Sequence, residues 1–430
     1  MPLFSKDHPL PRFIAASAST NLGDGIAVVA WAWVATLLTR DPLLVALIPI
    51  ALRLPWAIFA IPAGIITDRV SRKALILSAD TLRAVAFVGA TIAIHLATPL
   101  PPAPDAGVAD AGLFIALGLC ALLIGAAEVF RDNAAQTVLP SLVRSDKLES
   151  ANGQLWSAEL TANALAGPAV GAFLIAEALM LPFAFNVLAY GLAVILVSGL
   201  NLKARDPNRV QRDWKREFRQ GLDFLIQRPM LRMLAVLTGL WNMCHQMVVM
   251  ALVLHVQENL NAGPRTYGLI LAMGAVGGVA GGLLGGPAAA RFGRGVTAQW
   301  ALLLSSLCFA LIPLMPGAIS LTVLMAAFAL FGVTWDSVSV AFRQRMIPDA
   351  ILGRVTSLYR LTTWGMMPVG LALSGLLVRM GEPVIGRPLA LQLPFIVAGA
   401  GTLLLTAFAW SRIGRGFTEP DSCTNDCLRA

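Results

Sequence analysis

The sequence predicts an all-α integral membrane protein, with twelve transmembrane helices in two pseudo-symmetric six-helix halves. Three observations point there. Of 430 residues, 57% are hydrophobic and only 13% are charged, where soluble domains carry roughly 25% charge. The mean hydropathy is +0.73. Apolar runs of about 20 residues or more, long enough to cross a hydrocarbon core, recur from end to end.

The runs fall at 13–38, 43–66, 74–97, 111–136, 151–176, 181–202, 230–256, 266–290, 295–314, 319–341, 356–380 and 389–410. The first has no small-residue cleavage site and is long enough to span, so it reads as retained rather than as a signal peptide. Basic residues then orient the chain. Of the 32 Lys and Arg, 23 lie in the termini and the even-to-odd loops, while Arg40, Arg265, Arg379 and Arg387 alone occupy the opposite loops. That disparity predicts a multi-pass protein with both termini in the cytoplasm. The net charge of +8 thus follows topology, and no nucleic-acid partner is expected.

The longest and most basic connection, 203–228, separates an N-terminal half (1–202) from a C-terminal half (229–411), and a tail follows (412–430). In that linker Trp214, Phe218, Leu222, Phe224 and Leu225 recur near helical spacing, as in an amphipathic helix lying on the inner leaflet. Cys120, Cys244 and Cys308 lie inside apolar runs as small packing residues. Cys423 and Cys427 lie in the tail, where a cytoplasmic setting disfavours a disulfide.

The loop between the second and third runs reads Gly64-Ile-Ile-Thr-Asp68-Arg69-Val-Ser-Arg72-Lys73. Gly64 lets two helix backbones approach. Asp68 can face Arg72 and Lys73, or a neighbouring helix N-terminus. Charge alone requires only that Arg69, Arg72 and Lys73 hold the loop in the cytoplasm. The pattern, however, resembles the motif between helices two and three of the major facilitator superfamily, with Ser71 where that motif usually has Gly. The resemblance implies a twelve-helix transporter whose halves rock about a central site. In it Gly64, Asp68, Arg69, Arg72 and Lys73 would form the cytoplasmic gate. In the second half, Gly286, Arg291 and Arg294 repeat the spacing, with Ala290 in place of the acid.

The fifth run carries Gly167-Pro168-Ala-Val-Gly171-Ala172, similar to a Gly-Pro-x-x-Gly-Gly motif of exporters in that superfamily. Ala172 replaces its last Gly. A plain kink with small-residue packing explains the same residues. Further likeness lies in Asp80-Thr-Leu-Arg83, Arg131-Asp-Asn-Ala-Ala-Gln136, Ala151-Asn152, Gln344-Arg-Met-Ile-Pro348 and Gly353-Arg354-Val355. Together these resemble the bacterial subgroup containing the enterobactin exporter and the macrolide-efflux pumps.

Each charge inside a span needs a reason, because insertion costs at least about 2.5–3.5 kcal/mol at the bilayer centre. Asp24 and Arg53 lie about 15–17 Å deep on consecutive helices, which suggests an ion pair. Either the pair is structural, or Asp24 carries a proton whose affinity depends on what neutralises it. Glu128, Arg131 and Asp132 share one helix face, so Arg131 can bridge Glu128 locally, and the resemblance would pair Arg72 with one of those acids. Asp80 and Arg83 read as structural. Glu159 lacks a local partner, which suits a proton site or a contact for a cationic substrate, and Asp336 is an acid well inside a second-half span. In the seventh run Trp241, Asn242, His245 and Gln246 suit a mixed apolar and polar substrate wall, while interhelical hydrogen bonding would use the same groups.

No phosphate-cradling Gly-rich loop occurs, and the four histidines are dispersed, so neither ATP-driven transport nor metal chemistry is indicated. No cofactor is expected, nor enzymatic activity. The expected function is secondary active transport, namely proton-coupled efflux of amphipathic small molecules, drug or siderophore, by a functional monomer in the lipid bilayer. The alternatives are a proton-coupled uptake symporter of a small metabolite and, more remotely, a polytopic membrane enzyme.

Overall fold

The computed structural model describes residues 9–143, 148–200 and 214–417. Among them the structure is all-α, with twelve helices long and apolar enough to cross a membrane, as the sequence predicts. In order, the spans are α1 (Pro9–Leu38), α2 (Pro42–Arg69), α3 (Arg72–Ala97) and α4 (Ala111–Leu142); then α5 (Leu148–Leu160) and α6 (Gly167–Glu177) as one broken span, and α7 (Leu181–Ser198). A linker helix, α8 (Trp214–Gln227), precedes α9 (Pro229–Leu254), α10 (Pro264–Phe292), α11 (Arg294–Leu311) and α12 (Ala318–Met346). The eleventh span is α13 (Asp349–Trp364) with α14 (Met367–Ile385), and the twelfth is the short α15 (Arg387–Ala390) with α16 (Leu393–Gly416). Cys423, Cys427 and residues 201–213 lie outside the described residues.

Local chemistry sets the helix ends. Asp41 caps α2 by accepting from the Leu43 amide, and Pro42 suits a first turn that needs no donor. Ser71 and Asp110 cap α3 and α4 in the same way. Pro168 has no amide to continue an α-ladder, and the chain before it widens into a π turn, Thr161–Ala166. Large apolar side chains such as Leu188, Leu283 and Leu404 remain more than two-thirds exposed, which suits contact with lipid tails rather than water.

The chain gathers into two compact units. The first holds Met1–Gln211, Val249–Ala272 and Leu371–Leu391; the second holds Arg212–Val248, Met273–Gly370 and Gln392–Ala430. In the first, Trp31, Phe87, Phe183 and Tyr190 form a buried aromatic core. Below it Phe13, Ile76, Val138, Leu155 and Val197 join α1, α3, α4, α5 and α7. In the second unit α8 does not rest on lipid alone. Gly221 and Leu225 are buried, Gly221 lies against Leu358, and Arg354 of α13 donates to Gln220 at 2.8 Å. The amphipathic face of the linker is thus used in part for packing within the protein.

Candidate functional site

Charged side chains of the first unit meet between its helices. Asp24 on α1 accepts from Arg83 on α3 and from the Tyr190 hydroxyl on α7 at 2.5 Å. The Arg83 guanidinium lies 4.4 Å over the Tyr190 ring and is fully buried. Arg131 on α4 reaches Asp80 at 3.6 Å and Asp132 at 3.4 Å, and donates to Ser17 at 3.3 Å. The Ser17 hydroxyl donates in turn to Glu159 on α5 at 2.5 Å. Arg53 on α2 lies 3.9 Å from Glu128 on α4. Burying these charges is tolerable because each has a countercharge or a hydrogen bond.

These partners differ from those expected. Asp24 pairs with Arg83, not Arg53, because Arg53 sits on the side of α2 that packs against α4. Arg131 bridges Asp80 rather than Glu128. Glu159 has its partner on another helix. Arg72 donates to the Thr137 carbonyl at 2.7 Å rather than to Glu128 or Asp132. Five acids (Asp24, Asp80, Glu128, Asp132, Glu159) face three arginines (Arg53, Arg83, Arg131), which leaves a formal −2 if all are ionised.

The fifth span is held against α1 by glycine. A Cβ on Gly25 would overlap the Asn163 carbonyl, one on Gly167 would lie 2.8 Å from the Gly25 carbonyl carbon, and one on Gly171 would lie 2.8 Å from the Ile26 carbonyl oxygen. Gly167, Pro168 and Gly171 therefore serve close packing on α1, with the π turn just before them. Beside that seam a cavity of about 450 Å³ is lined by Asn21, Trp156, Ser157, Glu159, Leu160, Asn163 and Ala164.

We term the end of this unit bearing Lys73 the motif face, and the end bearing Arg40 the clasp face. On the motif face Lys73 donates to the carbonyls of Ser198 (2.6 Å) and Leu200 (2.8 Å), and Arg12 donates to those of Leu196 (2.6 Å) and Ile195 (3.2 Å). Two cations thus satisfy the unpaired carbonyls at the α7 C-terminus and complement its dipole. Among the described residues, a Cβ at Gly64 would meet nothing within 4 Å. The side chains of Asp68 and Arg69 lie outside the described residues.

On the clasp face, Arg387 donates to Glu258 (2.5 and 2.8 Å), to Glu382 (3.1 Å) and to the Arg40 carbonyl (2.8 Å). Arg379 lies 3.4 Å from Asp41, Arg265 2.7 Å from Glu177, and Arg40 3.5 Å from Asp105. All four arginines that the charge count leaves in the opposite loops are therefore ion-paired here.

In the second unit Trp241 and His245 stack with Phe328, at 5.8 and 5.5 Å; His245 also stacks with Phe309, against which Trp241 is tilted. Asn242 donates to the Thr363 carbonyl at 3.2 Å, and Gln246 is buried. These four residues expected to form a substrate wall take part in helix packing. Asp336 is exposed on α12. Among the described residues, no group of three or more His, Cys, Asp or Glu is placed to hold a metal.

A family model described as a transmembrane secretion effector matches residues 10–413. The chain belongs to that family. It is a transporter of the major facilitator superfamily, the broader relationship that the Gly64–Lys73 motif indicated. Among curated proteins, the chain is 27% identical over 323 residues to the enterobactin exporter EntS of Shigella boydii serotype 18, a match covering 75% of this chain and 73% of the relative. The match to EntS of Escherichia coli O139:H28 has the same identity and extent. Among solved structures it resembles a D-xylose–proton symporter (TM-score 0.72, 15% identity, 94% of this chain and 98% of that one). It also resembles an inward-facing bacterial homologue of the iron transporter ferroportin (TM-score 0.70, 16% identity, 94% and 100%).

Proposed function

We propose that this protein exports amphipathic small molecules, drug or siderophore in class, across a bacterial inner membrane in exchange for protons. The buried ionic network carries this reading. Five carboxylates against three guanidiniums leave two charges that burial penalises, and two protons make the cluster neutral. A network that is neutral only when protonated gives a proton gradient something to act on. Asp24, Glu128, Asp132 and Glu159 are the carriers in the first unit, and Asp336 is the second-half candidate. Asp68 and Arg72, with Gly64, Arg69 and Lys73, form the cytoplasmic gate. The family description and the exporter named among the relatives support the outward direction.

The working unit is a monomer of two six-helix halves, 1–202 and 229–411, joined by a basic linker, with both termini cytoplasmic. The excess of Lys and Arg on the motif face supports that orientation. The test uses inside-out vesicles, a fluorescent amphipathic dye and an imposed proton gradient. Vesicles acidified inside accumulate dye, the accumulation collapses when the gradient is dissipated, and Asp24→Asn and Asp68→Asn abolish it. Dye accumulation by intact cells, in place of depletion, would reverse the direction and make the protein an uptake symporter.

A further inference from the structure

The cavity beside the glycine seam has a chemistry of its own. Trp156 and Glu159 are three residues apart on α5 and therefore share a face. Trp156 is 70% exposed, although it lies inside a membrane-length span and both it and Glu159 line the cavity. Only Oε1 of Glu159 is engaged among the described residues, by the Ser17 hydroxyl. Asn163 uses its amide nitrogen on Asn21 at 3.5 Å, and its carbonyl oxygen serves no described residue. The lining also holds donors, among them the Ser157 hydroxyl and the Trp156 indole N–H, but its one ionisable side chain is the acid Glu159, beside an indole. Among the described residues no Lys or Arg lines the cavity, and Arg131 of the network stands behind Ser17.

An anion would meet the Glu159 carboxylate and be repelled. A cation would meet a carboxylate, a ring face and an amide oxygen at once. We infer that Asn21, Trp156, Glu159 and Asn163 form a binding site for a monovalent organic cation with an apolar body. This deepens the export reading and rests on it, since it chooses the cationic class among amphipathic substrates. Leu160 and Ala164 would contact the apolar part. Ser17, Asn21, Arg131 and Asp132 are the polar and charged groups that face Glu159 from α1 and α4.

The test is a titration of the purified full-length protein with rhodamine 6G, a fluorescent organic cation, followed by anisotropy. Fluorescein, similar in size and anionic, is the control. Saturable rhodamine binding is expected, with fluorescein at least about tenfold weaker, and Glu159→Gln weakens rhodamine about tenfold. Trp156→Ala, at an exposed position that leaves folding intact, weakens it about fivefold, and Asn163→Asp tightens it. Equal binding by wild type, Glu159→Gln and Trp156→Ala would overturn the site, as would fluorescein binding as tightly as rhodamine. Transport in the vesicle assay separates the two readings. Glu159-dependent binding without gradient-driven movement keeps the site and removes the exporter. Gradient-driven movement of fluorescein without Glu159-dependent rhodamine binding does the reverse.

Discussion

Arg387 holds Glu258 with two arms of its guanidinium, Nε on one carboxylate oxygen at 2.5 Å and Nη2 on the other at 2.8 Å. The same arginine reaches Glu382 and the Arg40 carbonyl, so one side chain ties four positions together. Lysine cannot reproduce this, because an ammonium lacks the planar fork. Arg387→Ala is expected to cost about 1–2 kcal/mol, and Arg387→Lys to recover little of it. Thermal unfolding in detergent, read by circular dichroism, checks both. A lysine variant melting with wild type would show that charge alone suffices.

The Asp24–Arg83 pair buries its arginine completely. Asp24→Asn leaves the Arg83 guanidinium buried without its countercharge, a loss of about 3–5 kcal/mol. Tyr190→Phe removes one hydrogen bond and keeps the ion pair, a loss of about 1 kcal/mol. Comparing the melting temperatures of the two variants measures this order directly, and the reverse order would mean that the hydroxyl, not the arginine, holds Asp24.

Two glycines should behave oppositely. Gly25→Ala drives a methyl into the Asn163 carbonyl, costing about 1–3 kcal/mol as α1 and the fifth span move apart. Gly64→Ala meets nothing, and its stability should stay within about 0.5 kcal/mol of wild type. Any loss of transport in Gly64→Ala with unchanged melting would then locate a close approach in another conformational state. Reduced melting would contradict the open surroundings of Gly64.

Ser17 is the single hydroxyl between Glu159 and Arg131. Ser17→Ala breaks the link without removing a charge and is expected to cost about 1–2 kcal/mol. Gradient-driven dye accumulation should fall severalfold, and Ser17→Thr, which keeps the hydroxyl, should restore it. Full coupling in the alanine variant would show that Glu159 works apart from the arginine network.

What the sequence revealed followed one helix at a time. Apolar runs placed all twelve spans, and spacing put Glu128 with Asp132, and Asp80 with Arg83, on common faces. The partners of those faces depend on how each helix is rotated against its neighbours, which no local pattern records. For that reason depth alone suggests Arg53, on the next helix, for Asp24, while its partner in the structure, Arg83, lies one helix further on. No local pattern marks Arg12 as a cap, because its acceptors, the α7 carbonyls, lie more than 180 residues away. Gly25 carried no motif, although its contact with Gly167 sets the α1 crossing. The clasp-face arginines were visible only as exceptions to a charge count; the acids beside them gave the missing signal.

The π turn at Thr161–Ala166 has a consequence for how the fifth span is phased. A π turn holds one more residue than the α-helical turn it replaces, and one residue corresponds to about 100° of rotation. The Trp156–Glu159 side and the Gly167–Gly171 side are thus out of step with any single helical wheel drawn through both. Removing one residue from the turn would let the ladder close as a regular helix. With the glycine seam still seated on α1, Glu159 would swing about a quarter-turn away from Ser17. The extra residue acts as a phase adjuster, letting one helix meet its neighbour with one face while offering a differently timed face to the cavity.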